Sequence, residues 1–175
     1  MTDAIDPRAA ISRLDAGAAA MDRLRGAIDA GRPWPVGPVG GEGPESEWGP
    51  PEVLAHVAEM LGYWLHQMER VIDGPAEPVP MGRQASDPLR AAAIERDRAL
   101  PTDELLARIH AAVARYAARL PELTAADWAR RGLHPRAGEL TVAQMLERFV
   151  LVHVDEHVAQ LQVVLGSGQA IDTVG

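Results

Sequence analysis

The chain has 175 residues, 47% hydrophobic and 24% charged, a composition ordinary for a single folded domain over residues 1–175. Its formal charge of −8 argues against nucleic acid as a partner, because such binding depends on neutralising phosphates with basic side chains. The chain has neither cysteine nor lysine, which excludes disulfides, thiolate metal ligands, a cysteine nucleophile and a Schiff-base lysine.

The N-terminal sequence predicts no secretory signal, because Met-Thr-Asp-Ala-Ile-Asp-Pro lacks a basic region followed by an apolar core. No apolar run approaches the roughly 20 residues that a membrane-spanning helix needs. Together with the absence of cysteine, these features predict a cytoplasmic protein that has no membrane partner.

Four long helical patterns, and no convincing strand, predict an all-α four-helix bundle. The first pattern is an apolar seam from Ile11 to Ile28 at steps of three and four residues, ended by Gly31 and Pro33. Residues 32–49, rich in proline and glycine, form a long irregular connection. Connections of this length inside a compact domain are often functional.

The second helix is expected to begin near Pro50 and to end at Gly74, since proline suits a first helical turn and glycine a helix end. A proline-rich loop follows, and a third helical stretch from about Asp87 is interrupted at Pro101. Thr102 is expected to cap its restart. The apolar side of the second helix is predicted to consist of Leu54, Val57, Leu61, Trp64, Leu65, Met68 and Ile72.

Residues 121–139 are predicted to be irregular, with a short turn near Thr124 and a loop over 132–138. The last helix opens with Thr141-Val-Ala-Gln144, a capping-box pattern in which Thr and Gln satisfy each other's free backbone donors. It is expected to continue to residues 165–168.

Two histidines of the last helix, His153 and His157, are the strongest candidates for chemistry. Side chains four residues apart are neighbours on one helix face, and a helical wheel places both near the centre of the apolar side. Histidines that face a core must be hydrogen-bonded or coordinate something. His56 lies at the flank of the second helix's apolar stripe, so three imidazoles are available for an open metal site. Residue 154 is valine, so the HExxH protease signature is absent.

Other polar residues are weaker candidates. His66 and His110 are predicted to lie on helix surfaces, whereas His134 is a candidate for the mouth of the site. Glu59, Asp155 and Glu156 are either partners that orient a ligand imidazole or simply solvated charges. Gln160 shares the face of His153 and is the better candidate for a polar contact. The four tryptophans are expected to be core or capping residues.

Two segments carry a resemblance to a known family. Trp48-Gly-Pro-Pro-Glu-Val-Leu-Ala-His56 and the segment from Gly138 through His153-Val-Asp-Glu-His157 resemble the DinB/YfiT-like superfamily of four-helix-bundle proteins. Gly49 stands where members of this family commonly carry Ser or Thr, a small difference because glycine also caps well. The loop before Trp48 is longer than the family pattern.

The resemblance implies that His56, His153 and His157 are three ligands of a divalent metal ion, Zn or Ni, and that the protein is a homodimer. It also implies a metal-dependent S-transferase that activates a low-molecular-weight thiol toward a small-molecule electrophile. Two alternatives stay open. One is a non-catalytic stress-associated or ligand-binding bundle with a structural metal, and the other is a hydrolase that uses metal-activated water.

Overall fold

A computed structural model describes residues 5–39, 45–75 and 78–169. The α-helices are α1 (Pro7–Ala30), α2 (Pro50–Asp73), α3 (Pro88–Asp97), α4 (Thr102–Arg119), α5 (Ala125–Ala129), α6 (Val142–Leu146) and α7 (Val152–Gln169). The strands are β1 (Val79–Pro80), β2 (Arg131–His134) and β3 (Gly138–Thr141). Short 3₁₀ turns lie at Glu45–Glu47 and Leu120–Glu122. A π-helical turn over Glu147–Leu151 joins α6 to α7.

The prediction of an all-α four-helix bundle is confirmed. Helices α1, α2 and α4 pack together, and the continuous run of α6, the π turn and α7 is the fourth long element. Their apolar faces meet in one core, where Tyr116 is fully buried and its hydroxyl donates a hydrogen bond to the Leu61 carbonyl at 2.9 Å. Within the described ranges, each helix is too short or too polar to cross a membrane.

Most predicted helix ends are confirmed, and one cap is wrong. Asp87 caps α3 by accepting the backbone N–H groups of Leu89 and Arg90. Thr141 and Gln144 form the predicted capping box at the start of α6. Thr102 does not cap α4, because it is the first residue inside the helix and Pro101 precedes it as the N-cap. Its hydroxyl instead donates to Asp29 at 2.6 Å, in a contact between two helices. The last helix runs to Gln169, slightly beyond its predicted end.

The expectation of no strand is wrong. Strands β2 and β3 pair antiparallel, and β1 pairs parallel to β2, giving a three-stranded sheet in the order β1-β2-β3. A Cβ on Gly132 would lie 2.6 Å from the Met81 side chain, so glycine permits β2 to approach the segment after β1 closely. The sheet replaces most of the predicted 132–138 loop and places His134 beside the bundle.

The π turn changes which residues of the last helix face the core. It adds a residue relative to regular α-helical spacing, so a wheel with one constant angle fails across it. His153, predicted near the centre of the apolar side, has a side chain 30% exposed and lies at the edge of the buried face, whereas the adjacent Val154 is buried. His157 is buried, as predicted.

Helix α1 approaches α7 closely at Gly17, where an added Cβ would lie 2.5 Å from Cγ1 of Val154. We expect Gly17→Val to lower the free energy of unfolding by about 1–3 kcal/mol, the usual effect of overpacking a core. Urea titration measures this change. Gly26→Val is the matched control, because a Cβ there meets no atom within 4 Å. Val154→Ala should restore part of the loss, and equal effects at Gly17 and Gly26 would contradict the packing argument.

Candidate metal centre

The structure brings together all three histidines that the sequence singled out. His56 comes from α2, and His153 and His157 come from α7. The Nε2 atoms of His56 and His153 are 3.1 Å apart. The three ring centroids are separated by 4.6 to 5.3 Å. The fold therefore brings His56 to the pair on α7, although it is nearly 100 positions away in sequence.

This spacing suits a metal ion. Imidazole nitrogens lie about 2.0–2.1 Å from Zn²⁺, so two ligands of a tetrahedral ion are roughly 3.3 Å apart. The 3.1 Å between the two Nε2 atoms is close to that value. Without an ion, one of these nitrogens must carry a proton and donate it to the other, whereas with an ion both can present a lone pair to it.

His157 provides a more direct test of whether the residues fit a metal. Its Nδ1 lies 2.9 Å from Oε1 of Gln160, and the amide group of Gln160 donates to the Glu45 carbonyl at 2.6 Å. The Gln160 oxygen therefore faces His157 as an acceptor, and Nδ1 carries the proton. The Nε2 atom then presents a lone pair, and it is buried with no hydrogen-bond partner among the described residues. An unpaired acceptor aimed at two other imidazoles fits a divalent cation.

Glu45 is a further member of the cluster, and the sequence analysis did not identify it. Possible ligand atoms of Glu45 and of the three histidines lie within 4.8 Å of one another. One carboxylate oxygen pairs with Arg90, and the other lies 4.0 Å from Nε2 of His157. The only signal in the sequence was the length of the 32–49 connection, which ends in the turn that carries Glu45.

His56 lies deeper than predicted. It was expected at the flank of the apolar stripe, but it is only 3% exposed, because the 32–39 connection and Trp48 cover this part of α2. Burial lowers the pKa of His56 well below its ordinary value, and the neighbouring His157 lowers it further. Burial also lowers the pKa of His153, and it lowers that of His157 to about 4. All three rings are therefore neutral near pH 7, the form that binds metals.

Four of the weaker candidates from the sequence do not contact the histidine cluster. His66 and His110 are exposed, as predicted. Glu59 and Asp155 do not orient a ligand imidazole, since Glu59 pairs with Arg83 and Asp155 pairs with Arg13 at 2.6 Å.

A second group lies near the cluster. Glu156 is 3.9 Å from Nδ1 of His153, and Gln160 makes the predicted polar contact. Trp48 is a core residue, whereas Trp64 lines a cavity at the site, where its ring stacks on Phe149 with centroids 4.2 Å apart.

Cavities lie on two sides of the histidine cluster. One, of about 260 Å³, is bordered by His56, His153 and His134, so His134 does line an approach to the site. The other, of about 450 Å³, is bordered by His153, His157 and Gln160. Glu45 borders both. Small molecules can therefore approach the three imidazoles from two directions.

The lowered pKa values predict that the metal-free protein loses stability in acid. In the unfolded chain these histidines take up protons near pH 6.5, whereas the folded protein keeps them neutral to lower pH. The unfolded state therefore binds more protons, and the free energy of unfolding falls as the pH drops from about 6.5 toward 4, by at most roughly 1.4 kcal/mol per histidine and pH unit. Urea titrations with a chelator at several pH values measure the slope. His157→Gln should reduce the slope, and identical slopes for this variant and the wild-type protein would contradict the prediction.

Comparisons with known proteins agree with this architecture. A family model described as the DinB superfamily matches residues 32–161. Among solved structures, the chain is similar to YfiT from Bacillus subtilis, described as a probable metal-dependent hydrolase with an unusual four-helix bundle topology. The TM-score is 0.75 at 17% identity, over 97% of this chain and 93% of that one.

A second similar structure is a mycothiol-dependent maleylpyruvate isomerase, with a TM-score of 0.63 and 18% identity. The match covers 90% of this chain but only 61% of the isomerase. No curated protein matches the chain significantly in sequence. At these identities the structural matches establish the four-helix-bundle fold.

Proposed function

This chain belongs to the DinB superfamily, and we propose that it is a divalent-metal-dependent enzyme whose metal ligands are His56, His153 and His157. The observation that carries the proposal is the buried Nε2 of His157, which has no hydrogen-bond partner among the described residues and faces two further imidazoles. Zn²⁺ and Ni²⁺ both suit imidazole ligands. The metal dependence named for YfiT supports the same conclusion.

The reaction we propose is transfer of a low-molecular-weight thiol to an electrophilic carbon. When bound, the cation favours the deprotonated form of a thiol held against it. The thiol sulfur forms a bond to carbon, and the bond from carbon to the leaving group breaks, its electron pair staying with the leaving group. The chain has no cysteine, so the sulfur comes from a cosubstrate, and the isomerase that depends on mycothiol supports this class of cosubstrate.

Side chains of this protein have separable roles in that scheme. The Gln160 amide keeps Nε2 of His157 free of a proton, because it accepts the hydrogen on Nδ1. Glu45, with one carboxylate oxygen paired to Arg90 and the other near the histidines, is positioned to accept the proton that the thiol loses. The two cavities leave room for two reactants.

A hydrolase is the second candidate, and Glu45 is the observation that favours it. The sequence showed no general base at a recognisable spacing, but the fold places this carboxylate 4.0 Å from His157, where it could take a proton from water. If Glu45 instead completes the ligand set, the site is closed and a structural metal becomes the better interpretation.

The test is a turnover assay on metal-loaded protein. We expect several small thiols, offered with 1-chloro-2,4-dinitrobenzene, to give thioether faster than the uncatalysed reaction, and a chelator to remove the excess rate. Ester hydrolysis without thiol transfer would favour the hydrolase. Bound metal without either reaction would favour the structural role.

A further inference from the structure

We infer that the cavity beside His56 and His153 is a subsite for a small planar carboxylate, so that one reactant is an aromatic or conjugated acid. The inference rests on the proposed function, because it specifies the substrate class of that same site. It depends on three arginines and an aromatic wall that line one cavity.

The arginines Arg83, Arg90 and Arg136 all line this cavity, in a protein whose formal charge is −8. The acidic residue in the lining of this cavity is Glu45. A second carboxylate, that of Glu59, pairs with Arg83. Among the described residues, three guanidinium groups against two carboxylates leave a net positive cavity even before a metal ion is counted. Positive charge in a small cleft attracts anionic ligands selectively.

Two of these guanidinium groups are held in place by the protein. Arg90 pairs with Glu45 and donates to the Ala85 carbonyl at 3.1 Å. Arg83 pairs with Glu59 and lies 3.8 Å from the centre of the Tyr63 ring. Because these side chains are already ordered, a ligand that binds them loses little additional conformational entropy.

Arg136 supplies the free positive charge. It lies in the turn between β2 and β3, and its guanidinium has no ion pair or hydrogen bond within the described residues. His134 fixes this turn, since its Nδ1 accepts the backbone N–H groups of Arg136 and Ala137 at 3.2 and 3.1 Å. A carboxylate can accept two parallel hydrogen bonds from such a guanidinium.

The aromatic wall selects a planar molecule. Trp64 and Phe149 stack with an interplanar angle of 7°, and His134 stacks on Phe149 at 5.0 Å. All three rings border the cavity, so an aromatic or conjugated ligand finds aromatic side chains beside the arginines. The cavity on the other side of the histidines differs, because it carries Glu156 and two valines and has no arginine in its lining. The acid is therefore assigned to the first cavity.

The experiment compares benzoate with its neutral isostere benzamide, using calorimetry on the full chain in metal-loaded and chelator-treated forms. We expect benzoate to bind both forms at least roughly tenfold more tightly than benzamide, as a charge-assisted hydrogen bond predicts. Arg136→Gln should remove most of that preference. Arg115→Gln is the matched control, since Arg115 is exposed on α4 and lines neither cavity.

A double variant, Glu59→Gln with Arg83→Gln, tests a second arginine without leaving a carboxylate unpaired, and it should also weaken benzoate. Equal binding of benzoate and benzamide by wild type would overturn the inference, as would equal effects of Arg136→Gln and Arg115→Gln. Failure of the proposed metal function has a different signature. In that case the protein binds no metal, while the chelator-treated form keeps its preference for benzoate.

Discussion

His157→Ala is expected to lose its metal ion, whereas the wild-type protein retains about one equivalent after purification and dialysis. Three imidazoles supply the ligands in the proposed site, and His157 is the one whose Nε2 has no other described partner. Structural zinc sites of four ligands bind with about 10–16 kcal/mol, so losing one ligand should weaken binding by about a hundredfold or more. His153→Ala and His56→Ala should behave in the same way.

Elemental analysis of each purified variant measures this loss directly. His110→Ala is the matched control, because His110 is exposed on α4 and contacts Asp22 at 2.7 Å, away from the cluster. Circular dichroism separates loss of metal from loss of fold. Equal metal content in wild type and the three cluster variants would remove the site and most of the proposed function with it.

Glu45→Gln is expected to retain the metal ion and to lose turnover. If the three histidines are sufficient ligands, the amide leaves metal content near one equivalent. A general base contributes about 10²–10⁴-fold in rate, and an amide cannot accept the proton, so the catalysed rate should fall by roughly that factor. The expected retention of the metal ion does not depend on the ion pair between Arg90 and Glu45.

Two measurements on the same sample decide between the roles of Glu45. Metal analysis gives occupancy, and the rate of thioether formation gives turnover. Glu47→Gln is the control, because Glu47 lies in the same turn and is exposed. Loss of metal from Glu45→Gln would make Glu45 a fourth ligand, close the site and contradict the role of base.

Local signals were sufficient for the helices and for the pairing of His153 with His157 on one helix face. The seam from Ile11 to Ile28, the helix start near Asp87 and the capping box at Thr141 all depend on neighbours within one or two turns, and the structure confirms them. The proximity of His56 to the pair on α7 followed from the family resemblance, since spacing within one helix says nothing about a second helix.

The features that were missed depend on contacts distant in sequence. Strand β1 has two residues, and its pairing with β2 joins Val79 to Gly132, so no local alternation could reveal the sheet. Glu45 reaches the histidines only because the preceding connection folds back over α2, where Gly37 donates to Glu52 at 3.2 Å. The cap predicted at Thr102 failed for a similar reason, because its hydroxyl accepts from Arg32 and donates to Asp29, both distant in sequence, and accepts no backbone N–H of its own helix.

The π turn over Glu147–Leu151 holds one residue more than regular α-helical spacing would. The sheet and the capping box fix where the last helix starts, and the turn then sets the angle at which the histidine pair is presented. Deleting one residue inside the turn should therefore restore a regular helix and leave the pair facing His56, whereas inserting one more would rotate everything beyond it by about 100°. Relatives that are one residue shorter in this stretch can therefore keep the histidine cluster, with a regular helix in place of the turn.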